Sequence, residues 1–113
     1  MRHSLLIALL LLAACSRDDK PTPTQAEGLR PTDARLAAIY ERSCLNCHGR
    51  SDGVAPLTGH ASAWAPRLAK GMPALLQSVR QGLNSMPSMG LCPDCSDSDL
   101  EQLINFMSRA PTP

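Results

Sequence analysis

The sequence has 113 residues, room for one domain, and its charge is nearly balanced, with 11 lysines and arginines against 10 aspartates and glutamates. The basic residues are scattered, and the chain has only one Trp, one Tyr and one Phe. Proteins that bind nucleic acid need a clustered basic patch and often aromatic stacking platforms. The composition therefore argues against nucleic acid, or another acidic polymer, as a partner.

The N terminus has the pattern of an export signal. Two basic residues precede an unbroken apolar run over 5–14, which is shorter than the roughly 20 residues needed to span a bilayer. The run ends in LAAC, which resembles the cleavage motif of bacterial lipoproteins, where a lipid-bearing cysteine becomes the first residue. We expect a signal peptide over 1–14, lipid on Cys15 and a periplasmic protein anchored to a bacterial membrane. An ordinary cleavage site beside a free thiol is the alternative.

The segment 16–31 (SRDDKPTPTQAEGLRP) contains three prolines, several charges and few apolar residues. An extended proline-rich chain rises by roughly 3.1 Å per residue, so this segment could reach about 50 Å. We predict a lipidated N terminus and flexible linker over 15–31, followed by the folded domain over 32–113.

The first predicted helix begins at Thr32 or Asp33, because either side chain can cap a helix N terminus. Its buried face is marked by residues at spacings of three and four: Leu36, Ile39, Tyr40, Ser43, Cys44 and Cys47. Two thiols therefore lie at the end of the buried face.

Two further helices are predicted near the C terminus. One begins near Pro73, ends at Gly82 and carries Leu75, Leu76 and Val79. The last begins at Ser96 or Asp97, has acidic residues in its first turn, and has an apolar face formed by Leu100, Leu103, Ile104 and Met107.

The segments 49–71 and 83–95 are rich in glycine and proline and are predicted as long loops. A domain of this size with three aromatic residues has a thin core, and such domains usually need a disulfide, a metal or a cofactor. Long loops around a thin core favour a bound group in the interior.

The sequence Cys44-Leu45-Asn46-Cys47-His48 is the pattern of a c-type haem attachment site. Residues three apart on a helix face the same side, so both thiols can reach one flat group. His48 can then direct a ring nitrogen to its centre. We predict one haem c, covalently bound through Cys44 and Cys47, with His48 as an iron ligand.

Three other interpretations use the same cysteines. A zinc site with Cys92 and Cys95 would require a much longer insert than the roughly 15–20 residues typical of such sites. A thioredoxin-like dithiol requires a strand-helix-strand scaffold that the pattern does not predict. A plain disulfide between Cys44 and Cys47 would leave His48 without a role.

A thioether sulfur is a suitable sixth ligand for an electron carrier because it raises the reduction potential of the iron. Met107 lies on an apolar helix face, and Met72 opens a helix, so both are predicted as packing residues. Met86 and Met89 lie in a loop, and Pro87 would stiffen the turn at Met86. We predict Met86 as the ligand; Met89, a histidine ligand or an open position are the alternatives. His60 is expected at the surface.

With this motif and the terminal helix in place, residues 34–109 resemble a class I c-type cytochrome, most similar to the bacterial periplasmic cytochrome c-five group. The resemblance rests also on GVAPLTG, WAPRLAKG, GLNSMP and the cysteine pair before SDSDL. It implies an all-α fold with three to four helices and long loops wrapped around one covalent haem. Many relatives have glycine where this chain has Leu36, so the first and last helices could cross further apart unless Ala37 provides the small surface.

The resemblance also implies roles for particular residues. The carbonyl of Pro56 would fix the ring of His48. Trp64 and Arg67 would lie near the haem propionates, although Trp64 as a core residue bonded to backbone, and Arg67 as a surface charge, are the alternatives. Cys92 and Cys95 would form a disulfide that holds the Met86 loop; a redox switch that releases Met86 is the less favoured interpretation.

These features predict an electron carrier rather than an enzyme. Expected partners are a quinol-oxidising complex, a terminal haem-copper oxidase or a periplasmic reductase. An enzyme or gas sensor with an open sixth position is the alternative, and a fixed subunit of a larger oxidoreductase is a third possibility. Four acidic residues could form a docking face, but they serve the helix dipole more simply: Asp94, Asp97, Asp99 and Glu101.

Overall fold

The computed structural model describes residues 18–50 and 53–112. Over these residues the chain forms six α-helices and no named strand, which agrees with the predicted all-α class, although three to four helices were expected. The helices are α1 (Pro23–Gly28), α2 (Ala34–Ser43), α3 (Leu45–His48), α4 (Ala61–Leu68), α5 (Met72–Gln81) and α6 (Asp97–Met107). A short 3₁₀ turn covers Ser88–Leu91.

The first predicted helix is divided into α2 and α3 at Cys44. Asp33 caps α2 by accepting a hydrogen bond from the backbone N–H of Leu36 at 2.8 Å. The Cys44 N–H still donates to the Tyr40 carbonyl at 2.9 Å, and the His48 N–H donates to the Cys44 carbonyl at 2.9 Å. The two helices therefore continue one another. Leu36, Ile39, Tyr40 and Ser43 are buried as predicted, but Cys44 is only partly buried and Cys47 is exposed.

The prediction that 49–71 is entirely a loop is wrong, because α4 occupies its second half. Pro66 lies inside α4 and cannot donate a backbone hydrogen bond, and His60 at the N terminus provides no side-chain cap. The usual sequence signals of a helix are therefore missing. Packing of Trp64, which is only 4 % exposed, gives this helix a buried face.

The predicted C-terminal helices lie where the pattern placed them. α5 ends at Gly82, whose φ of 81° is a conformation that favours glycine. α6 begins with a capping box, in which Ser96 accepts from the Asp99 N–H and Asp99 accepts from the Ser96 N–H, each at 3.1 Å. Its apolar face is buried.

The core lies where α2 crosses α6. The rings of Tyr40 and Phe106 meet edge to face with centroids 5.1 Å apart. Leu36, the departure from the related pattern, is buried in this core, so the α2 and α6 contact uses a large residue there. The other buried members are mainly aliphatic: Ile39, Leu75, Leu100, Leu103, Ile104 and Met107.

The segment before α2 differs from the predicted flexible linker. It contains α1, which has a capping box between Thr22 and Gln25, and the side chain of Ala26 is completely buried. Small and apolar residues between the prolines therefore pack against the domain, a contact that composition alone does not reveal. The predicted signal peptide and Cys15 lie outside the described residues and stay predictions. Among the described helices, none is long and apolar enough to cross a membrane.

Candidate functional site

A cavity of about 650 Å³ opens between the helices and the loop after α5. Its volume is within the roughly 300–1,000 Å³ of typical cofactor pockets. The seven residues predicted to contact the cofactor all line it: Cys44, Cys47, His48, Pro56, Trp64, Arg67 and Met86. The rest of the lining is mostly apolar and includes Met107, which was predicted as a core residue.

The two thiols and the imidazole reach the cavity from the end of α2 and from α3. Cys44 and Cys47 are free thiols, the first partly buried and the second exposed. In the chain before haem attachment, burial raises the pKa of the Cys44 thiol to about 11, so this thiol is then protonated at neutral pH. His48 is mostly buried, and desolvation is the main cause that lowers its pKa, which favours the neutral imidazole.

The loop 56–59 fixes His48 through several hydrogen bonds. Nδ1 of His48 lies 2.8 Å from the carbonyl oxygen of Pro56, which leaves Nε2 available to a ligand. The backbone N–H of Thr58 donates to the His48 carbonyl at 2.7 Å, and the Thr58 hydroxyl accepts from the Tyr40 hydroxyl at 2.9 Å. The Gly59 N–H donates to the Met107 carbonyl at 2.8 Å. The Tyr40 to Thr58 contact was not predicted, because the sequence gives no signal for a pairing across 18 residues.

Trp64 lines the cavity, but its indole N–H donates to the carbonyl of Leu57 at 2.9 Å. A bond from Trp64 to backbone is the alternative that the sequence analysis considered. The bond to Leu57 corrects the expectation that the indole N–H faces a propionate. The ring of Trp64 lies 5.5 Å from that of His48, measured between centroids. Arg67 is exposed at the cavity edge, where its guanidinium donates to the Ala63 carbonyl at 2.6 Å. Arg67 therefore remains near enough to the cavity to meet an anionic group.

Met86 and Met89 both line the cavity from the loop that follows α5. The backbone of Met86 is fixed by a bridge to Leu83, with N–H to carbonyl distances of 2.9 and 3.1 Å. The chain then passes through three residues of positive φ, 60° at Met89, 56° at Gly90 and 63° at Leu91. Non-glycine residues adopt this region at some cost, so the loop has a specific and tightly constrained path.

The Met86 loop contacts α2 beside the disulfide between Cys92 and Cys95. Cys92 is almost fully buried, and Arg42 on α2 contacts both its sulfur and the carboxylate of Asp94, the latter at 2.9 and 3.0 Å. The Ser43 hydroxyl also donates to the Leu91 carbonyl at 3.4 Å. The disulfide therefore closes the turn between the Met86 loop and α6, and the hydrogen bonds of Arg42 and Ser43 join this turn to α2.

Three of the four acidic residues considered as a docking face are paired with arginines. Asp94 binds Arg42, Asp97 binds Arg80, and Asp99 binds Arg35 at 2.6 Å. These contacts tie α6 and its preceding turn to α2 and α5. His60 was expected at the surface, but it is partly buried and lies 3.4 Å from Asp19.

Comparison with known proteins agrees with this geometry. A family model described as "Cytochrome C oxidase, cbb3-type, subunit III" matches residues 31–107. Cytochrome c5 of Azotobacter vinelandii is 42 % identical over 72 residues, which cover 62 % of this chain and 87 % of that protein. Cytochrome c5 of Ectopseudomonas mendocina is 38 % identical over 72 residues, which cover 62 % of this chain and 83 % of that protein.

Solved structures are also similar. A mono-heme ferrocytochrome c from Shewanella putrefaciens has a TM-score of 0.57 and 47 % identity, covering 67 % of this chain and 94 % of that one. A chain in the electron transfer complex of nitrite reductase with cytochrome c has a TM-score of 0.56 and 35 % identity, with coverage of 67 % and 93 %.

The chain belongs to the cytochrome c family of domains that the matching family model describes. It has the small class I cytochrome c fold, carries one covalently attached haem c, and is an electron carrier rather than an enzyme. The fold class, the cofactor and the broad class of function predicted from the sequence are therefore confirmed.

Proposed function

We propose that this protein is a lipid-anchored periplasmic cytochrome that transfers single electrons on a haem with His48 and Met86 as axial ligands. The observation that carries the proposal is the convergence of the CxxCH residues and Met86 on one apolar cavity of about 650 Å³. Bound haem supplies an iron that changes between the ferrous and ferric states.

The residues of the chain attach and orient this group. The thiols of Cys44 and Cys47 would hold the haem covalently by adding across its vinyl groups, with sulfur bonding to one carbon and the hydrogen passing to the other. The Pro56 carbonyl accepts from Nδ1 of His48 and keeps Nε2 directed at the metal. Met86 provides the thioether, and the aliphatic lining excludes water, which favours a stable low-spin electron carrier.

The two other predicted haem contacts have different roles. Trp64 packs beside His48 and holds the loop through the Leu57 carbonyl, while Arg67 neutralises a propionate at the cavity edge. The disulfide of Cys92 and Cys95 keeps the Met86 loop against α2.

The expected partners are redox proteins at or near a bacterial membrane. A periplasmic reductase is supported by the neighbour solved with nitrite reductase, and a terminal haem-copper oxidase by the description of the matching family model. A quinol-oxidising complex is the proposed donor. The lipid on Cys15 would hold the protein at the membrane.

The test is an optical spectrum of the purified holoprotein, with variants of the two loop methionines. Wild type should show the near-infrared methionine-to-iron band in the ferric state and react slowly with carbon monoxide when reduced. Met86→Leu should lose the band and bind carbon monoxide readily, whereas Met89→Leu should keep the band. Haem should stay with the polypeptide after denaturation and solvent extraction.

The opposite pattern, with the band lost only in Met89→Leu, would assign the sixth ligand to Met89. Rapid carbon monoxide binding by wild type would overturn methionine ligation and favour a protein with an open position.

A further inference from the structure

The segment before α2 is held on the domain by its first described residues. The carboxylate of Asp19 accepts from the backbone N–H of Ser62 at 2.6 Å and from its hydroxyl, and it lies 3.4 Å from Nε2 of His60. The bonds from Ser62 lower the pKa of Asp19. Asp19 thus provides the N-terminal cap that α4 lacks in its own sequence.

The rest of the segment also contacts the domain. Pro21 and Ala26 are buried, and the side chain of Leu29 packs over Gly59. Arg30 donates to Glu41 on α2 at 2.7 Å, and its guanidinium lies 5.9 Å from the centre of the Tyr40 ring. We refer to residues 19–30 as the strap.

The strap changes the reach of a lipid anchor on Cys15. A free linker of sixteen residues would extend about 50 Å. With the strap bound, four residue steps separate Cys15 from Asp19, and they span at most about 14 Å. The polar layer on each side of a bilayer is itself roughly 5–8 Å thick. A domain with a bound strap therefore lies beside the headgroups and cannot swing freely.

The N-terminal end of the strap lies beside a small cavity of about 200 Å³. Its lining includes four basic side chains: Lys20, Arg50, His60 and Arg67. Among the described residues, two acidic side chains lie nearby: Asp19 accepts from Ser62 and lies beside His60, and Asp18 accepts from the backbone N–H of Lys20. The side chains of Lys20 and Arg50 are exposed and form no ion pair with either carboxylate, so they can meet an anion outside the domain. Lys and Arg side chains close to an anionic bilayer are attracted to its phosphate groups.

We propose that the strap holds the haem domain on the membrane surface, with the side chains of Lys20 and Arg50 directed at the phosphate groups of anionic phospholipids. This inference rests on lipidation of Cys15, which is part of the proposed function. The haem cavity shares Arg67 and the loop 54–56 with the basic cavity. The part of the haem site next to this loop therefore faces the bilayer, and a redox partner reaches the site at another part of its rim, where Leu83 and Leu91 are exposed.

The experiment uses the mature lipidated holoprotein in vesicles that carry a headgroup fluorophore, which haem quenches at short range. Vesicles of phosphatidylcholine alone are compared with vesicles that also contain phosphatidylglycerol. Wild type should quench strongly, and more so with phosphatidylglycerol. Ala26→Gln places a polar side chain at a buried strap position and should lose much of the quenching; Thr24→Gln, at an exposed position of the same helix, is the matched control.

The charged face is tested separately. Lys20→Gln and Arg50→Gln together should remove the additional quenching due to phosphatidylglycerol, while Arg109→Gln, an exposed cation that does not line the basic cavity, should not. Equal quenching by wild type and Ala26→Gln would overturn the bound strap. An unchanged phosphatidylglycerol effect in the double variant would overturn the phospholipid-facing surface.

Two controls separate this proposal from the proposed function. The haem spectrum of every variant reports whether folding and iron ligation are intact. The mass of the mature protein reports whether Cys15 carries lipid; an unlipidated product would refute the anchor and this proposal together, yet leave electron transfer by the haem domain in place.

Discussion

At the scale of single residues, Thr58 is the centre of the contacts that position His48. Its backbone donates to the His48 carbonyl, and its hydroxyl accepts from Tyr40, with both side chains fully buried. Burial is the main cause that raises the pKa of Tyr40, so its hydroxyl stays protonated and able to donate. α2 is thereby linked to the loop that holds the predicted iron ligand.

Tyr40→Phe removes this donor and leaves a buried hydroxyl without its partner. We expect the holoprotein to lose about 1–2 kcal/mol of unfolding free energy, measured by denaturant titration. Thr58→Ser keeps the acceptor and should lose less than Tyr40→Phe. Unchanged stability in Tyr40→Phe would show that the bond contributes nothing.

A second prediction at the residue scale concerns Asp99 and the pH dependence of stability. The hydrogen bond from Arg35, and then those from Ser96, lower the pKa of this carboxyl from its ordinary 3.8 to about 2. A depressed pKa in the folded state means that the ionised form stabilises the fold above pH 3.8, and that this contribution is lost as the pH falls towards about 2.

The variant Asp99→Asn should therefore be less stable than wild type at neutral pH, and the difference should shrink as the pH falls through this window. Denaturant titrations at several pH values measure it. Glu101→Gln, which changes an exposed carboxyl on the same helix, is the matched control. A constant difference between Asp99→Asn and wild type would contradict the coupling.

At the scale of elements, the sequence predicts α5 and α6 well and α4 not at all. α6 is specified locally, because its cap at Ser96 and its buried face are adjacent in the chain. α4 has a proline inside it, and its N-terminal cap comes from Asp19, which is 43 residues away. Local patterns cannot reveal a cap supplied by a distant segment, and the docked strap was missed for the same reason.

The haem site also combines features that are readable from adjacent residues with features that depend on distant contacts. The CxxCH residues are adjacent in the sequence and were assigned from spacing and a known pattern. The role of the Pro56 carbonyl, in contrast, came only from resemblance, since a backbone acceptor leaves no mark on residue type. The partner of the Trp64 N–H was misjudged because the path of the loop at Leu57 is set by tertiary contacts.

Gly82 is the element-scale test of how the Met86 loop is positioned. Its φ is 81°, and a β-carbon there would lie 2.8 Å from the Met86 carbonyl oxygen and 3.0 Å from the Ser88 nitrogen. Gly82→Ala should therefore displace the backbone that presents Met86. We expect a weaker methionine-to-iron band and faster binding of carbon monoxide.

Gly71→Ala is a close control for this variant. Gly71 has a φ of 88°, but its β-carbon would meet nothing nearer than 3.8 Å. Both variants introduce similar backbone strain, so both should lower stability, while only Gly82→Ala should alter the spectrum. Equal spectra in the two variants would show that the collision at Gly82 does not reach the iron ligand.

At the scale of the whole molecule, the haem site occupies much of what would otherwise be the core. The cavity of about 650 Å³ is lined by core residues of α5 and α6, such as Leu75, Leu103 and Ile104, so part of the apolar surface of these helices faces the cavity and not another helix. Small domains are marginal on hydrophobic burial alone.

A chain without its haem should therefore not fold cooperatively. The double variant Cys44→Ala and Cys47→Ala, produced without haem, should have no sharp thermal transition by circular dichroism. The double variant Cys92→Ala and Cys95→Ala also lacks two thiols, but it should keep its haem and a sharp transition, at a lower temperature. A sharp transition in the haem-free protein would show that the polypeptide alone provides enough core.

Gly59, at the end of the loop before α4, shows how close the two ends of the domain lie. Their closeness determines how the chain could be rejoined. Leu29 and Pro111, near opposite ends of the chain, both lie against Gly59, within 2.9 and 3.2 Å of where a β-carbon would be. Ends this close are typical of domains that tolerate circular permutation and tandem duplication. A few added residues could join position 111 to position 29, at the loss of the Asp19 cap on α4, and the domain could then be opened at the exposed turn of Ala69 and Lys70.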